Sequence, residues 1–369
     1  MRLELGVFMP VGNNGWIISK NSPQYMPTYD LNRRITLLAE EIGFKYIFSM
    51  AKWRGFGGDT GFWNHTVEAM TLSAGLAPHT RDATIISTIA PAIMHPAVFA
   101  KMAATLDDIC GGRLMLNVVS AANKTEYTQM GLYPENFEEY RYDYTEEWLH
   151  VCKRLWTEES VTFHGRWFHL DDCQSLPHPV QRPFPQIVCA TSSEQGYRFV
   201  ANHCDAAFMG GGTVEEIRAG SLLAKRLGHE AGRPVKTLSN IILVLGNTEE
   251  EAQRMYRSYL DGADHAAIDN IYFLRIRDKA AARVASMTAN YQSPAQNVFY
   301  GGGFVGGPER VADYFAELAM TAELDGIIMT FQDFLQGLQI FGDKVMPLLR
   351  ARGVDVGRMS AVADGVMSA

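Results

Sequence analysis

The chain of 369 residues lacks a cysteine framework: Cys110, Cys152, Cys173, Cys189 and Cys204 are odd in number, scattered and without a C-x-x-C. That excludes a secreted disulfide scaffold and reads as reduced thiols in a cytoplasmic protein. No stretch approaches the ~18 uninterrupted apolar residues of a membrane span. Residues 1–5 carry Glu4 inside their only apolar run, so no signal peptide is expected. Positive charge is also short, 33 Lys and Arg against 41 Asp and Glu, for a net charge of −8. Nucleic acid and anionic membranes attract basic surfaces, so neither is expected as the main partner. The ten histidines form no H-E-x-x-H and no H-x-H, and no metal centre is expected. A G-x-S-x-G elbow and a G-x-x-x-x-G-K-[ST] loop are missing too, which removes the basis for a serine hydrolase or a nucleoside triphosphatase.

What is present is a soluble globular composition, 47% apolar and 20% charged. Short β-branched or apolar runs recur at 5–8, 46–50, 84–88, 114–119, 186–189, 206–209, 239–245 and 326–329. Helical spacing follows nearly all of them, at 31–42, 66–76, 97–110, 142–156, 193–202, 214–227, 249–260 and 334–350. Strand followed by helix means parallel strands with helical crossovers. Eight such units predict an α/β fold of the (β/α)8 TIM-barrel kind. An open doubly wound sheet would instead put a G-x-G-x-x-G turn after the first strand. That strand runs into Met9-Pro10-Val11-Gly12-Asn13-Asn14-Gly15-Trp16, which has none.

The length exceeds a plain barrel by about 120 residues. The excess falls at 50–64, at 159–185 with a hairpin-like 161–168, and at 261–304, expected as insertions at the C-terminal ends of the strands. The expected organisation is one barrel domain over 1–355, a late insertion near 261–304 and a tail at 356–369. In such a barrel the chemistry belongs in the loops after the strands. Those loops offer Asn13, Asn14, Trp16, Lys52, Trp53, Thr88, Asn117, Ser120, Asn123, Glu126 and Thr191. The lining suits a flat, polar-edged, largely neutral ligand. Taken alone, Ser193 reads as a helix N-cap, and Arg141-Tyr142-Asp143-Tyr144 as a surface patch. The glycines at 301–303 and 306–307 lead into a helix start at Pro308 and Glu309.

Several longer strings carry a resemblance. They are Val11-Gly12-Asn13-Asn14-Gly15-Trp16, Pro23-Gln24-Tyr25-Met26-Pro27-Thr28, Arg54-Gly55-Phe56-Gly57-Gly58, Lys101-Met102-Ala103-Ala104-Thr105-Leu106-Asp107, Glu126-Tyr127-x-Gln129-Met130-Gly131, Arg141-Tyr142-Asp143-Tyr144 and Thr330-Phe331-Gln332-Asp333-Phe334-Leu335. Together they resemble the bacterial luciferase-like flavin monooxygenases, and within them the pyrimidine (uracil) monooxygenase branch, over residues 3–350. The resemblance implies FMN held near Ala51 and Lys52 and by Asn117 and Glu126, with its phosphate on Arg141, Tyr142 and Ser193. It puts Thr88 where dioxygen reacts, and makes Thr88, Asn123 and Asn14 the candidate catalytic contacts.

The implied reaction is reduced-FMN- and dioxygen-dependent monooxygenation of a small N-heterocycle through a flavin peroxide. An NAD(P)H-dependent flavin reductase supplies the reduced FMN, and assembly into a homo-oligomer is expected. One departure stands out. The family runs N-[LV]-V-T-G after the strand, often with Trp next, whereas here Ser120, Ala121 and Ala122 follow Val119. A roomier pocket is expected, for a pyrimidine-like substrate or a bulkier analogue. A sulfonate- or sulfone-cleaving relative is the rival reading, kept open by Arg275, Arg277 and Arg283. A deazaflavin-linked oxidoreductase and a non-enzymatic flavin-binding protein are the others.

Overall fold

The apolar runs become strands because β-branched and aromatic residues find cover on both faces of a parallel sheet. The computed structural model describes residues 1–120, 124–277 and 298–357. Among these, the strands are β1 (Glu4–Phe8), β2 (Tyr46–Ser49), β3 (Thr84–Ile89), β4 (Leu114–Val118), β5 (Val161–His164), β6 (His169–Cys173), β7 (Gln186–Ala190), β8 (Ala206–Met209), β9 (Lys236–Leu245), β10 (Gly303–Gly306) and β11 (Gly326–Phe331). Eight pair in parallel in the order β9-β11-β1-β2-β3-β4-β7-β8, and a β8–β9 pairing closes the ring. The expected TIM barrel is therefore present. β5 and β6 make the antiparallel hairpin, and β10 lies against the outer half of β9, Gly303 to Gly306 beside Ile242 to Leu245.

The helices are α1 (Tyr29–Glu41), α2 (Ala69–Leu76), α3 (Pro96–Ile109), α4 (Lys124–Thr128), α5 (Phe137–Leu155), α6 (Glu194–His203), α7 (Val214–Glu230), α8 (Glu249–Asp261), α9 (His265–Arg277), α10 (Pro308–Thr321), α11 (Phe334–Ile340) and α12 (Met346–Ala351). Two starts differ from the sequence reading by three residues or more. Helix α2 begins at Ala69, because Glu68 caps it by accepting from the N–H groups of Met70 and Thr71, which leaves Thr66 in the loop. Helix α5 begins at Phe137, and a separate short α4 carries Glu126. None of the described helices is long and apolar enough to cross a membrane.

The pairing register fixes what faces inward. Stepping once around the ring from Ile242 returns to β9 at the level of Pro234, a stagger of eight residues. That is the stagger of a (β/α)8 barrel, and it puts side chains from alternate strands at one height. Phe48 and Phe208 come from opposite walls, and their rings meet at 4.7 Å on the axis, with Phe8 packed on both. The layer above them holds Phe8, Thr88, Ala190 and Asn240. At the N-terminal end, the Tyr46 hydroxyl and the Lys236 ammonium both converge on the Glu4 carboxylate. Burial pushes that carboxyl up, but the Tyr46 hydrogen bond and Lys236 outweigh it and hold its pKa below the ordinary value. These groups plug the barrel floor.

At the other end the buried Gln332 amide donates to the Leu245 carbonyl at 2.9 Å and accepts from the Leu245 N–H at 3.1 Å. It continues the ladder where β9 outruns β11. Replacing Gln332 with Met leaves two buried backbone groups unpaired, at about 1–3 kcal/mol each. Urea unfolding of Gln332→Met should show a loss of about 2–6 kcal/mol, and an unchanged midpoint would refute this role.

Candidate active site

The polar groups at the barrel mouth come from neighbouring strands. Thr88 and Asn117 are register partners on β3 and β4, so their inward side chains touch. Asn117 Nδ2 donates to Thr88 Oγ1 at 2.9 Å, and Thr88 Oγ1 donates to the Ser49 carbonyl at 2.8 Å. That leaves Asn117 Oδ1 buried without a partner among the described residues. A buried amide oxygen left unmatched is costly, and it is poised to accept an N–H.

Beside this pair sits a buried ion pair. Lys52, in the loop after β2, meets Glu126 Oε1, and Glu126 Oε2 accepts from the Trp53 N–H at 2.9 Å. The ammonium lies 4.1 Å from the centre of the Phe56 ring, and Thr66 Oγ1 donates to the Lys52 carbonyl at 2.9 Å. Ala51, half-buried, leads into this group. Thr88, Asn117, Ala51, Lys52 and Glu126 therefore share one mouth.

The third cluster lies across the β4–β7 seam. Ser193 caps α6, its Oγ accepting from the Gly196 N–H at 3.1 Å. A Cβ on Gly196 would fall 1.8 Å from Thr191 Oγ1 and 2.9 Å from the Tyr142 hydroxyl, so only glycine lets these groups converge. Thr191 Oγ1 is buried without a partner among the described residues. The Arg141 guanidinium stacks 5.0 Å from the Tyr142 ring, and no described carboxylate pairs with it. A helix N-terminus, an uncommitted arginine and two hydroxyls make an anion cradle. Read alone, this stretch suggested a surface patch; the convergence on Gly196 gives it a second side.

Asn14 is committed elsewhere. Its amide donates to the Thr60 carbonyl at 3.0 Å and accepts from the Tyr25 N–H at 3.0 Å, with φ at +66°. It fastens the loops after β1 and β2 together. Asn123, Ala121, Ala122 and Arg283 lie outside the described residues, as do the side chains of Arg275 and Arg277.

Sequence reading missed Asp264. It is fully buried ahead of α9, accepting from the Ala267 N–H at 3.1 Å, the Asp59 N–H at 3.1 Å, and the Thr60 N–H and hydroxyl at 2.7 Å each. Gly58, at φ +77°, is packed so closely that a Cβ would sit 2.5 Å from Asp264 Oδ1. The only sequence signal was an N-cap acid three residues before Ala267. Burial pushes the Asp264 carboxyl up, but the hydrogen bonds from Thr60, Ala267 and Asp59 outweigh it and hold its pKa below the ordinary value.

Residues 3–322 match the luciferase-like monooxygenase family. The chain belongs to that family. Several known proteins are similar to it along nearly their whole length. Pyrimidine monooxygenase RutA of Acinetobacter baylyi is 38% identical over 354 residues, covering 95% of each chain. RutA of Caulobacter vibrioides is 38% identical over 355 residues, covering 95% of this chain and 99% of its own. Among solved structures, the riboflavin lyase RcaE superimposes with a TM-score of 0.84 at 22% identity, covering 98% of this chain and 94% of its own. The long-chain alkane monooxygenase LadA gives 0.81 at 20% identity, covering 96% and 92%. At such identities these two establish the shared luciferase-like fold.

Two outcomes follow from the geometry. Lys52→Met or Glu126→Met alone leaves one buried charge unpaired and should cost about 3–5 kcal/mol in urea unfolding, whereas the double variant should recover most of that. Additive losses would show that the pair is not coupled. For Asp264, the lowered pKa means its stabilisation is complete above the unfolded value of about 3.9 and is lost as pH falls through the folded value. Asp264→Asn should therefore be less stable than the parent at pH 7 by about 1–3 kcal/mol. The gap should close below about pH 3.9, and a gap that stays constant with pH would contradict the assignment.

Proposed function

We propose that the protein is a reduced-FMN- and dioxygen-dependent monooxygenase of small N-heterocycles, pyrimidines or bulkier analogues. In this reading it works in the cytoplasm with an NAD(P)H-dependent flavin reductase. The observation that carries it is the uncommitted anion cradle of Arg141, Tyr142, Thr191 and Ser193 around Gly196, next to an unmatched Asn117 Oδ1. The 38% identity to pyrimidine monooxygenases over 95% of the chain supports the substrate class.

The residues fit FMN. Arg141, Tyr142, Thr191 and Ser193 would hold the phosphate, the arginine neutralising its charge and the α6 N-terminus donating to it. Asn117 Oδ1 would accept a ring N–H, and Ala51 and the Lys52–Glu126 pair would border the ring. Reduced FMN, when bound, supplies the electrons that activate dioxygen. The chain orients and shields. Thr88 is fixed by its bonds to Asn117 and Ser49, so its oxygen would keep one position next to a bound flavin. Phe8, Phe48, Phe208 and Trp16 exclude water from below and the side, which protects a reactive intermediate. Asn123 is a polar contact for the substrate in this reading, and Asn14 shapes the wall.

The test combines flavin titration with labelled oxygen. FMN should bind, and Arg141→Ala should weaken it about 10–100-fold, the worth of a charged hydrogen bond. Photoreduced FMN with labelled dioxygen should place one labelled atom in the product of uracil or a bulkier pyrimidine. Absence of FMN binding, or equal turnover without dioxygen, would defeat the proposal.

A further inference from the structure

The groups just assigned to the flavin lie on β2, β3, β4 and β7 or in the segments that follow them. The opposite wall, β9 with its neighbours β8 and β11, carries polar groups that this reading does not use. Asn240 is on the inward face of β9, since Leu238 pairs with Phe208, whose ring lies on the barrel axis. The eight-residue stagger brings Asn240 to the height of Thr88, directly across the mouth.

Two observations point to a ligand at Asn240. Its side-chain oxygen is buried without a partner among the described residues, and so is the Thr330 hydroxyl, which faces inward one strand over on β11. The strand pairing also continues to put Gly210 beside Asn240, and a side chain built on Gly210 would meet no atom within 4 Å. One step further, Gly211 is closed off, because its Cβ would sit 2.4 Å from the Asn240 carbonyl and 3.0 Å from the Gly302 carbonyl. The wall is thus sealed behind Asn240 and open in front of it.

We propose that Asn240 is a specificity-determining residue that reads the substrate: its side-chain carbonyl accepts a ring N–H, and the Thr330 hydroxyl bonds the adjoining ring carbonyl. This rests on the proposed heterocycle oxidation and deepens it, selecting ring lactams or imides with an unsubstituted N–H. A ring lacking that N–H leaves the Asn240 oxygen buried and unmatched, and such a site rejects the analogue strongly.

Uracil and 1,3-dimethyluracil, compared in wild type and in Asn240→Ala and Asn240→Leu, test this with photoreduced FMN and dioxygen. Wild type should favour uracil in kcat/KM by about 10–100-fold. Both variants should lose uracil turnover by a similar factor and bring the two substrates towards parity, while FMN affinity and circular dichroism match wild type. Equal wild-type use of both pyrimidines overturns the inference without any variant. So do variants that keep the preference, and so does weakened FMN binding, which would assign Asn240 to the flavin. Wild type that oxidises no pyrimidine overturns the substrate class and the inference together, whereas failure confined to the variants removes the inference alone.

Discussion

The barrel mouth is organised by two opposite charges held away from water. Lys52 sits in the loop after β2 and Glu126 in the short α4 after β4, and neither side chain is more than 7% exposed. Taking them out of water is expensive, and their attraction offsets that cost only if the remaining hydrogen-bond capacity is met. It is met here by the Trp53 N–H on the second carboxylate oxygen and by the Phe56 ring against the ammonium. Gln129 closes the arrangement by donating to the Trp53 carbonyl at 2.8 Å. The loop after β2 and helix α4 are consequently tied together as one rim.

That rim is fastened on its far side as well. The glycine-rich stretch that follows Lys52 is tied to Asp264 through Asp59 and Thr60, and to the loop after β1 through Asn13 and Asn14. Asn13 also accepts from the His65 N–H at 3.0 Å. A long loop ordinarily loses much freedom when it orders. Here buried polar contacts from three sequence regions share that loss, which makes a preorganised wall for chemistry at the barrel top.

The strands were legible because both-face burial leaves an uninterrupted apolar run, and 206–209 was read with the bounds of β8. Helix starts were less legible where the usual cap is missing: Glu68 caps α2 in place of Ser or Thr, and Asn136 ahead of α5 makes no side-chain cap bond. Lys52, Asn117 and Glu126 were legible as polar residues in the loops after the strands, and the structure brings them together with Thr88. Asp264 and Asn240 were not reachable. The role of Asp264 depends on contacts about 200 residues away. The inward aspect of Asn240 depends on the pairing of β9 with β8, which no local pattern encodes. Ser193 is a helix cap, as its position before α6 suggests.

The plug of Glu4, Tyr46 and Lys236 has a consequence for traffic. With the floor closed by charge-assisted hydrogen bonds and the axis filled by Phe48 and Phe208, the described residues leave the barrel open at its C-terminal end. Everything that enters and everything that leaves must use the same doorway. A large planar occupant already inside would narrow that path for the next. The smallest guest is the one that can still pass when the barrel is full.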